Sequence, residues 1–161
     1  MEKGKWYQYT ESGLDNVFLA IGAGVQIKDL PSGKQVNIRA IDQLHEVIGV
    51  SLAKEKKNLS GKEIRFLRQE MLLSQGNLAK LLGVTEQTVH RWETGKADVP
   101  KPAEALIRSL YLDQLKTDEE KGRDKISVRK TLERLADLED EVDVLQMKIA
   151  NKNWFLHKQV A

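Results

Sequence analysis

The chain has no cysteine, only three prolines and few aromatic residues, and its charges nearly cancel. Without a thiol there is no disulfide, thiolate zinc centre, iron–sulfur cluster or cysteine nucleophile, a composition that fits a reducing compartment. No run approaches the roughly 20 apolar residues of a membrane span, and residues 1–6 lack the apolar core of a signal peptide. A cytoplasmic protein without membrane contact is expected. The formal net charge of +2 excludes a histone-like polycation that coats nucleic acid by bulk charge. At 161 residues there is room for one ordinary domain, or for two small ones with an extension.

The small total conceals an uneven distribution. Residues 1–49 carry 5 basic and 6 acidic side chains, residues 50–110 carry 11 and 7, and residues 117–143 carry 6 and 10. The middle of the chain is therefore basic and the stretch after it acidic. A local basic excess is often only a solvated surface, so a more specific signal is needed.

The first forty residues read as strands. Trp6 to Thr10 is aromatic and β-favouring, and Val17 to Ile21 is a short apolar run. Val25-Gln26-Ile27 and Val36-Asn37-Ile38 alternate apolar with polar around the turn signal Pro31-Ser32-Gly33. A small antiparallel sheet follows, one that needs a helix or a second subunit to pack against. From Ile41 the period becomes helical, with Leu44, Ile48 and Leu52 on one face, and it fades in the polar stretch Lys54 to Asn58.

Residues 60–116 are helical in pattern, with breaks near Leu73-Ser74, Gly83, Gly95 and Pro100. Beyond the polar stretch 117–122, Val128, Leu135, Leu138, Val142, Leu145, Ile149 and Leu156 recur mostly at intervals of three and four. That spacing predicts a long amphipathic helix, either one strand of a coiled coil or a helix packed on the protein's own core. Thr131 and Lys152 interrupt the seam. The expected class is α+β: a β-rich domain over 1–58, a helical domain over 59–116 and a C-terminal helix over 117–161.

The segment from Ser74 to Gly95 carries the function. Ser74 is placed to cap a helix whose apolar face is Leu78 and Leu82, with Ala79 small enough for close helix approach. Gly83 ends that helix where a left-handed conformation is needed, and Thr85 caps the next. In the second helix Val89 and Trp92 face inward, while Glu86, Gln87, His90, Arg91 and Thr94 face outward. Two short helices joined by a tight glycine turn make a helix-turn-helix. A plain helical hairpin would reproduce the apolar spacing but not Ser-Gln, Ala, Gly-Val, Val and Trp-Glu-x-Gly all in register.

These residues resemble the Xre/lambda-repressor (Cro-like) helix-turn-helix family. Ser74-Gln75 matches the opening of its second helix, Leu78-Ala79 and Gly83-Val84 the packing and turn positions, and Val89 with Trp92-Glu93-x-Gly95 its third helix. Ile64, Phe66, Leu67, Arg68 and Met71-Leu72 resemble the first helix, and Pro100, Pro102, Ala105, Leu106 and Leu110 the later covering helices. The likeness spans about 61–115. A fainter one, through Glu11-Ser12-Gly13-Leu14-Asp15-Asn16-Val17 and Leu44-His45, is to regulators related to the MqsA-like antitoxins. Some of those carry cysteine-based zinc modules; with no cysteine here, no metal site and no cofactor is carried over.

In such proteins the second helix of the motif enters the major groove of double-stranded DNA. Gln87 and Arg91, at i and i+4, are then the base readers, since Arg pairs bidentately with guanine and Gln with adenine. Glu86 reads a cytosine amino group or merely complements a helix N-terminus, and His90 faces a base or solvent. Gln75, Thr88, Thr94 and Lys96 are expected at phosphates, with Lys80, Arg65 and Arg68 as helpers. One such module buries about 600–1,000 Å² on DNA, so a homodimer on a near-palindromic operator is expected, joined by either the N-terminal sheet or the C-terminal helix. The implied activity is that of a transcriptional regulator, a repressor by expectation. The other reading is an antitoxin or adaptor that binds a partner protein such as a toxin and autoregulates its operon. Gly22-Ala23-Gly24 is not a dinucleotide loop, because Ile27 fills the third glycine position. No nucleophile–base pair points to an enzyme.

Overall fold

In the computed structural model, which describes residues 5–116, 135–138 and 143–158, the chain divides into two compact units. One comprises residues 1–51 with 143–161, the other residues 52–142.

The first unit is built on strands. β1 (Trp6–Gln8), β2 (Val17–Ala20), β3 (Val25–Leu30) and β4 (Gly33–Ile38) come from the alternating segments of the first forty residues. Helix α1 (Ile41–Glu55) follows, and the division between the units falls within it. The strands do not form the expected single antiparallel sheet. Among the described residues β3 and β4 pair only with each other, while β1 and β2 join two strands from the far end of the chain in the order β1-β2-β5-β6.

Those two strands, β5 (Leu145–Ala150) and β6 (Asn153–Leu156), overturn the C-terminal helix expected over 117–161. The rest of that expectation, over 117–134 and 139–142, lies outside the described residues. The physical reason is a partner that the local period cannot reveal. β5 lies parallel to β2, with Val17 opposite Leu145 and Leu19 opposite Met147, so the sheet is mixed. All four of those side chains are buried. The turn between β5 and β6 puts Asn151 and Lys152 at φ of 49° and 68°, a pairing of two left-handed residues that closes a two-residue hairpin. Trp154 is locked into the core of this unit. Its indole N–H donates to the Arg39 carbonyl at 2.7 Å, and its backbone N–H donates to Oε1 of Gln43 at 2.7 Å.

The second unit is helical among its described residues: α2 (Gly61–Glu70), α3 (Gln75–Leu82), α4 (Glu86–Glu93) and α5 (Lys101–Gln114) follow the end of α1. Ile64, Leu67, Leu78, Ala79, Val89, Trp92, Ala105 and Ile107 are buried between them. α3 and α4 pack on each other, and α2 packs on both α4 and α5.

Two buried cations organise this unit. Arg108 is 0% exposed, and its Nη1 donates to the carbonyls of Leu52 (2.8 Å), Ala53 (3.2 Å) and Lys56 (2.6 Å). Its Nη2 donates to Lys57 O at 3.1 Å, and Glu104, one turn back on α5, pairs with the guanidinium. The last carbonyls of a helix have no partner within it, and here a side chain of α5 supplies one. Lys56 pairs with Glu63 Oε1 at 2.7 Å, while Oε2 of Glu63 accepts from the Ser60 N–H at 2.7 Å as half of a capping box.

Candidate nucleic-acid interface

The α3–turn–α4 segment is fixed locally at every joint. Ser74 Oγ accepts from Asn77 N–H at 3.0 Å to start α3. Gly83, at φ 69°, ends it, and the Val84 N–H reaches back to the Ala79 carbonyl at 3.0 Å. A side chain at this φ would be strained, so glycine sets the sharpness of the turn. Thr85 Oγ1 accepts from Thr88 N–H at 3.2 Å to start α4. Gly95, at φ 72°, closes the helix as Lys96 N–H donates to Arg91 O at 2.8 Å.

Long-range contacts then set where α4 lies. Arg68 of α2 forms a two-pronged pair with Glu93, Nε to Oε1 at 2.6 Å and Nη2 to Oε2 at 3.0 Å, and its Nη1 donates to Leu73 O at 2.8 Å. Gln75 Nε2 also donates to Glu93 Oε2 at 2.8 Å. The Arg68–Glu93 pair thus ties the end of α4 to α2, to the loop before α3 through Leu73 and to the start of α3 through Gln75. Gly61 is the close-approach point: a Cβ there would lie 2.3 Å from Trp92 O and 2.7 Å from Glu93 O. Any larger residue would push α2 away from the end of α4.

This scaffold presents the outward face of α4. Glu86, Gln87, His90, Arg91, Thr94 and Lys96 are exposed, whereas Thr88 is half-buried and Val89 and Trp92 are buried. Among the described residues, the side chains of Gln87, His90, Arg91 and Lys96 make no hydrogen bond or ion pair. Their donors and acceptors are open to a ligand. Glu86 is also exposed, but its carboxylate lies over the start of α3, 3.2 Å from where a Cβ on Gly76 would sit. That position is favourable for an anion at a helix N-terminus.

The residues expected at phosphates divide differently. Lys96 is open. Gln75 is half-buried and commits one amide donor to Glu93, Thr88 shares a hydroxyl hydrogen bond with Thr85 at 2.9 Å, and Thr94 donates to His90 O at 2.8 Å. Lys80 and Arg65 are exposed. Arg68, expected as a helper at phosphates, is instead held inside the unit by Glu93 and Leu73. The Arg68–Glu93–Gln75 network was missed by sequence reasoning. Its only local trace is the Glu of Trp92-Glu93-x-Gly95, and its partner stands 25 residues upstream.

Among the described residues no group of three or more His, Asp or Glu side chains is arranged to hold a metal ion, and no helix is long and apolar enough to cross a membrane.

Comparison with known proteins agrees with this geometry where it reaches. Residues 61–110 match a family described as a helix-turn-helix domain. A protein of Pyrobaculum aerophilum, named as an HTH-type transcriptional regulatory protein, is 44% identical over 57 residues, which is 35% of this chain and 23% of that protein. The chain therefore spans about a quarter of that relative's length. No solved structure matches. The 61–110 segment is a helix-turn-helix domain.

Proposed function

We propose that the chain is a sequence-specific DNA-binding transcriptional regulator of the Xre/lambda-repressor type, with α4 as its reading helix in the major groove. The observation that carries this reading is the exposed set Gln87, His90, Arg91 and Lys96, without a side-chain partner among the described residues, at a helix whose position is fixed from within. Groups left unpaired on a rigid element are what direct base readout requires, because their geometry is set before the ligand arrives.

Gln87 and Arg91 are the base readers, with His90 and Glu86 flanking them. Glu86 has a second duty at the start of α3, so it contributes less to readout than His90. Lys96, Thr94, Thr88 and Gln75 hold phosphates; the three that already carry internal hydrogen bonds are thereby oriented rather than consumed. A single module has too little surface for tight specific binding, so two copies act together on a near-palindromic operator and repress by occupying it.

The test is selection of duplexes from a random-sequence library by the full chain, followed by mapping of binding sites across the genome at stated salt. Enriched near-palindromic sites whose base preferences relax in Arg91→Ala support the reading. Failure to enrich any sequence refutes it.

A further inference from the structure

The β3–β4 ribbon has two chemically different faces. Register pairs Val25 with Ile38 and Ile27 with Val36, and these share one face with Asp29 and Lys34 at the tip. The other face carries Gln26 opposite Asn37 and Lys28 opposite Gln35. Arg39 continues the ladder, its N–H donating to Gly24 O at 2.9 Å. With Gln26, Asn37, Ala23 and Gly24 it bounds a shallow concavity of about 180 Å³.

The first face is covered at its base, with Val25 buried and Val36 and Ile38 half-buried, while Ile27, Asp29 and Lys34 are exposed. Gln26, Lys28, Gln35, Asn37 and Arg39 are all exposed, and among the described residues their side chains have no hydrogen bond or ion pair. An ordinary solvated face mixes both signs of charge. This one combines three carboxamides and two cations with no carboxylate; the single acid between residues 16 and 41, Asp29, is on the opposite face.

We infer that this polar face is a second DNA-contacting element, a two-stranded ribbon whose amides and cations meet a duplex in addition to α4. The inference rests on the DNA-binding reading given above. The major groove admits a two-stranded ribbon as it admits a helix, carboxamides match adenine edges, and Lys and Arg match phosphate or guanine. A protein partner is the poorer fit, since interface cores are built on clustered apolar and aromatic side chains, and this face carries a lone apolar side chain, Leu30, at its tip opposite Gly33.

The probe is the duplex that the unaltered full chain recovers from a random-sequence library. Binding is measured over a range of salt for the unaltered chain, for Lys28→Ala/Arg39→Ala, for Gln35→Ala/Asn37→Ala and for Arg91→Ala. All five positions are exposed, and matching circular dichroism verifies the fold of each variant. For Lys28→Ala/Arg39→Ala, affinity is expected to fall on the order of tenfold and the salt slope to become shallower by about 1 to 2, near 0.9 for each phosphate left without its cation. A photo-activated cross-linker placed at Gln35 is expected to capture DNA. If the ribbon variants bind as the unaltered chain does while Arg91→Ala changes the preferred sequence, the ribbon inference alone is overturned. If no duplex is recovered, or no variant alters binding, the DNA-binding reading falls and the ribbon with it. If sedimentation shows that the ribbon variants lose a dimer that the unaltered chain forms, the face joins copies of the chain and the inference is overturned.

Discussion

Removing Arg68 tests whether one buried ion pair holds α4 in place. The perturbation is Arg68→Met, which keeps much of the apolar stem and deletes the guanidinium. Glu93 would lose both prongs, at 2.6 and 3.0 Å, and the Leu73 carbonyl would lose its donor. The Glu93 side chain is 2% exposed, so its charge has little access to water. Breaking a buried pair from one side costs about 3–5 kcal/mol. Gln75 still donates to Oε2 at 2.8 Å, which places the expected loss near the lower end, about 3 kcal/mol. Glu93→Gln leaves a cation that is 11% exposed and keeps its bond to Leu73, so about 2 kcal/mol is expected. The double variant should lose about 2 kcal/mol less than the sum of the singles, because the second change removes a group already stranded by the first. The assay is urea unfolding of the full chain labelled with 5-fluorotryptophan, reading the Trp92 resonance so that the helical unit is followed by itself. A coupling below about 0.5 kcal/mol, within the additivity of independent sites, would refute the argument that Glu93 ties α4 to α2.

Three further outcomes are expected. Leu72 sits at φ 56° and is 91% exposed at the end of α2, so Leu72→Gly should raise stability by roughly 1 kcal/mol, measured by the same unfolding; a loss would show that its side chain packs usefully. Arg108→Met strips four carbonyls and Glu104 of their partner and should cost about 4 kcal/mol, whereas Arg108→Lys should recover only part, lacking the fork; equal losses for the two would count against the geometry. Burial, with the hydrogen bond to the Glu11 carboxylate, pushes the Tyr7 hydroxyl from 10.0 up to about 12. The folded form then holds this proton more tightly than the unfolded chain, so the associated stability is present below pH 10 and drains away up to about pH 12. Tyr7→Phe should abolish that part of the decline, and an identical alkaline profile would contradict it.

What could be read ahead of the structure was what neighbours in the chain determine. Ser74, Gly83 and Thr85 act within one turn of themselves, and the inward positions of Val89 and Trp92 follow from helical period alone. The tail misled because its residues satisfy two periods at once. Leu145 and Ile149 fit a spacing of four, but Leu145, Met147 and Ile149 also alternate, and it is β2, more than a hundred residues away, that selects the strand. The left-handed pair Asn151-Lys152 was the local signal for a hairpin, and it lay where the helical seam was already interrupted. From sequence Arg68 is expected as a helper at phosphates and Lys56 as part of a polar stretch, and nothing near these two or Arg108 in sequence announces how far their side chains are covered. The exposed residues of α4 were legible for the opposite reason: helical geometry decides which side of α4 faces out, whatever the rest of the chain does.

The carbonyl clamp around Arg108 bears on how this module could be exchanged between proteins. The segment resembling other helix-turn-helix domains starts at residue 61, yet four of the acceptors that satisfy Arg108 lie at Leu52, Ala53, Lys56 and Lys57, upstream of that start. A recombination breakpoint drawn at the edge of the recognisable motif would deliver a helix-turn-helix domain with a stranded guanidinium at its centre. A breakpoint upstream of Leu52 would carry the acceptors along and transfer the domain intact. A transferable unit therefore begins at or before Leu52, several residues before the motif itself becomes visible.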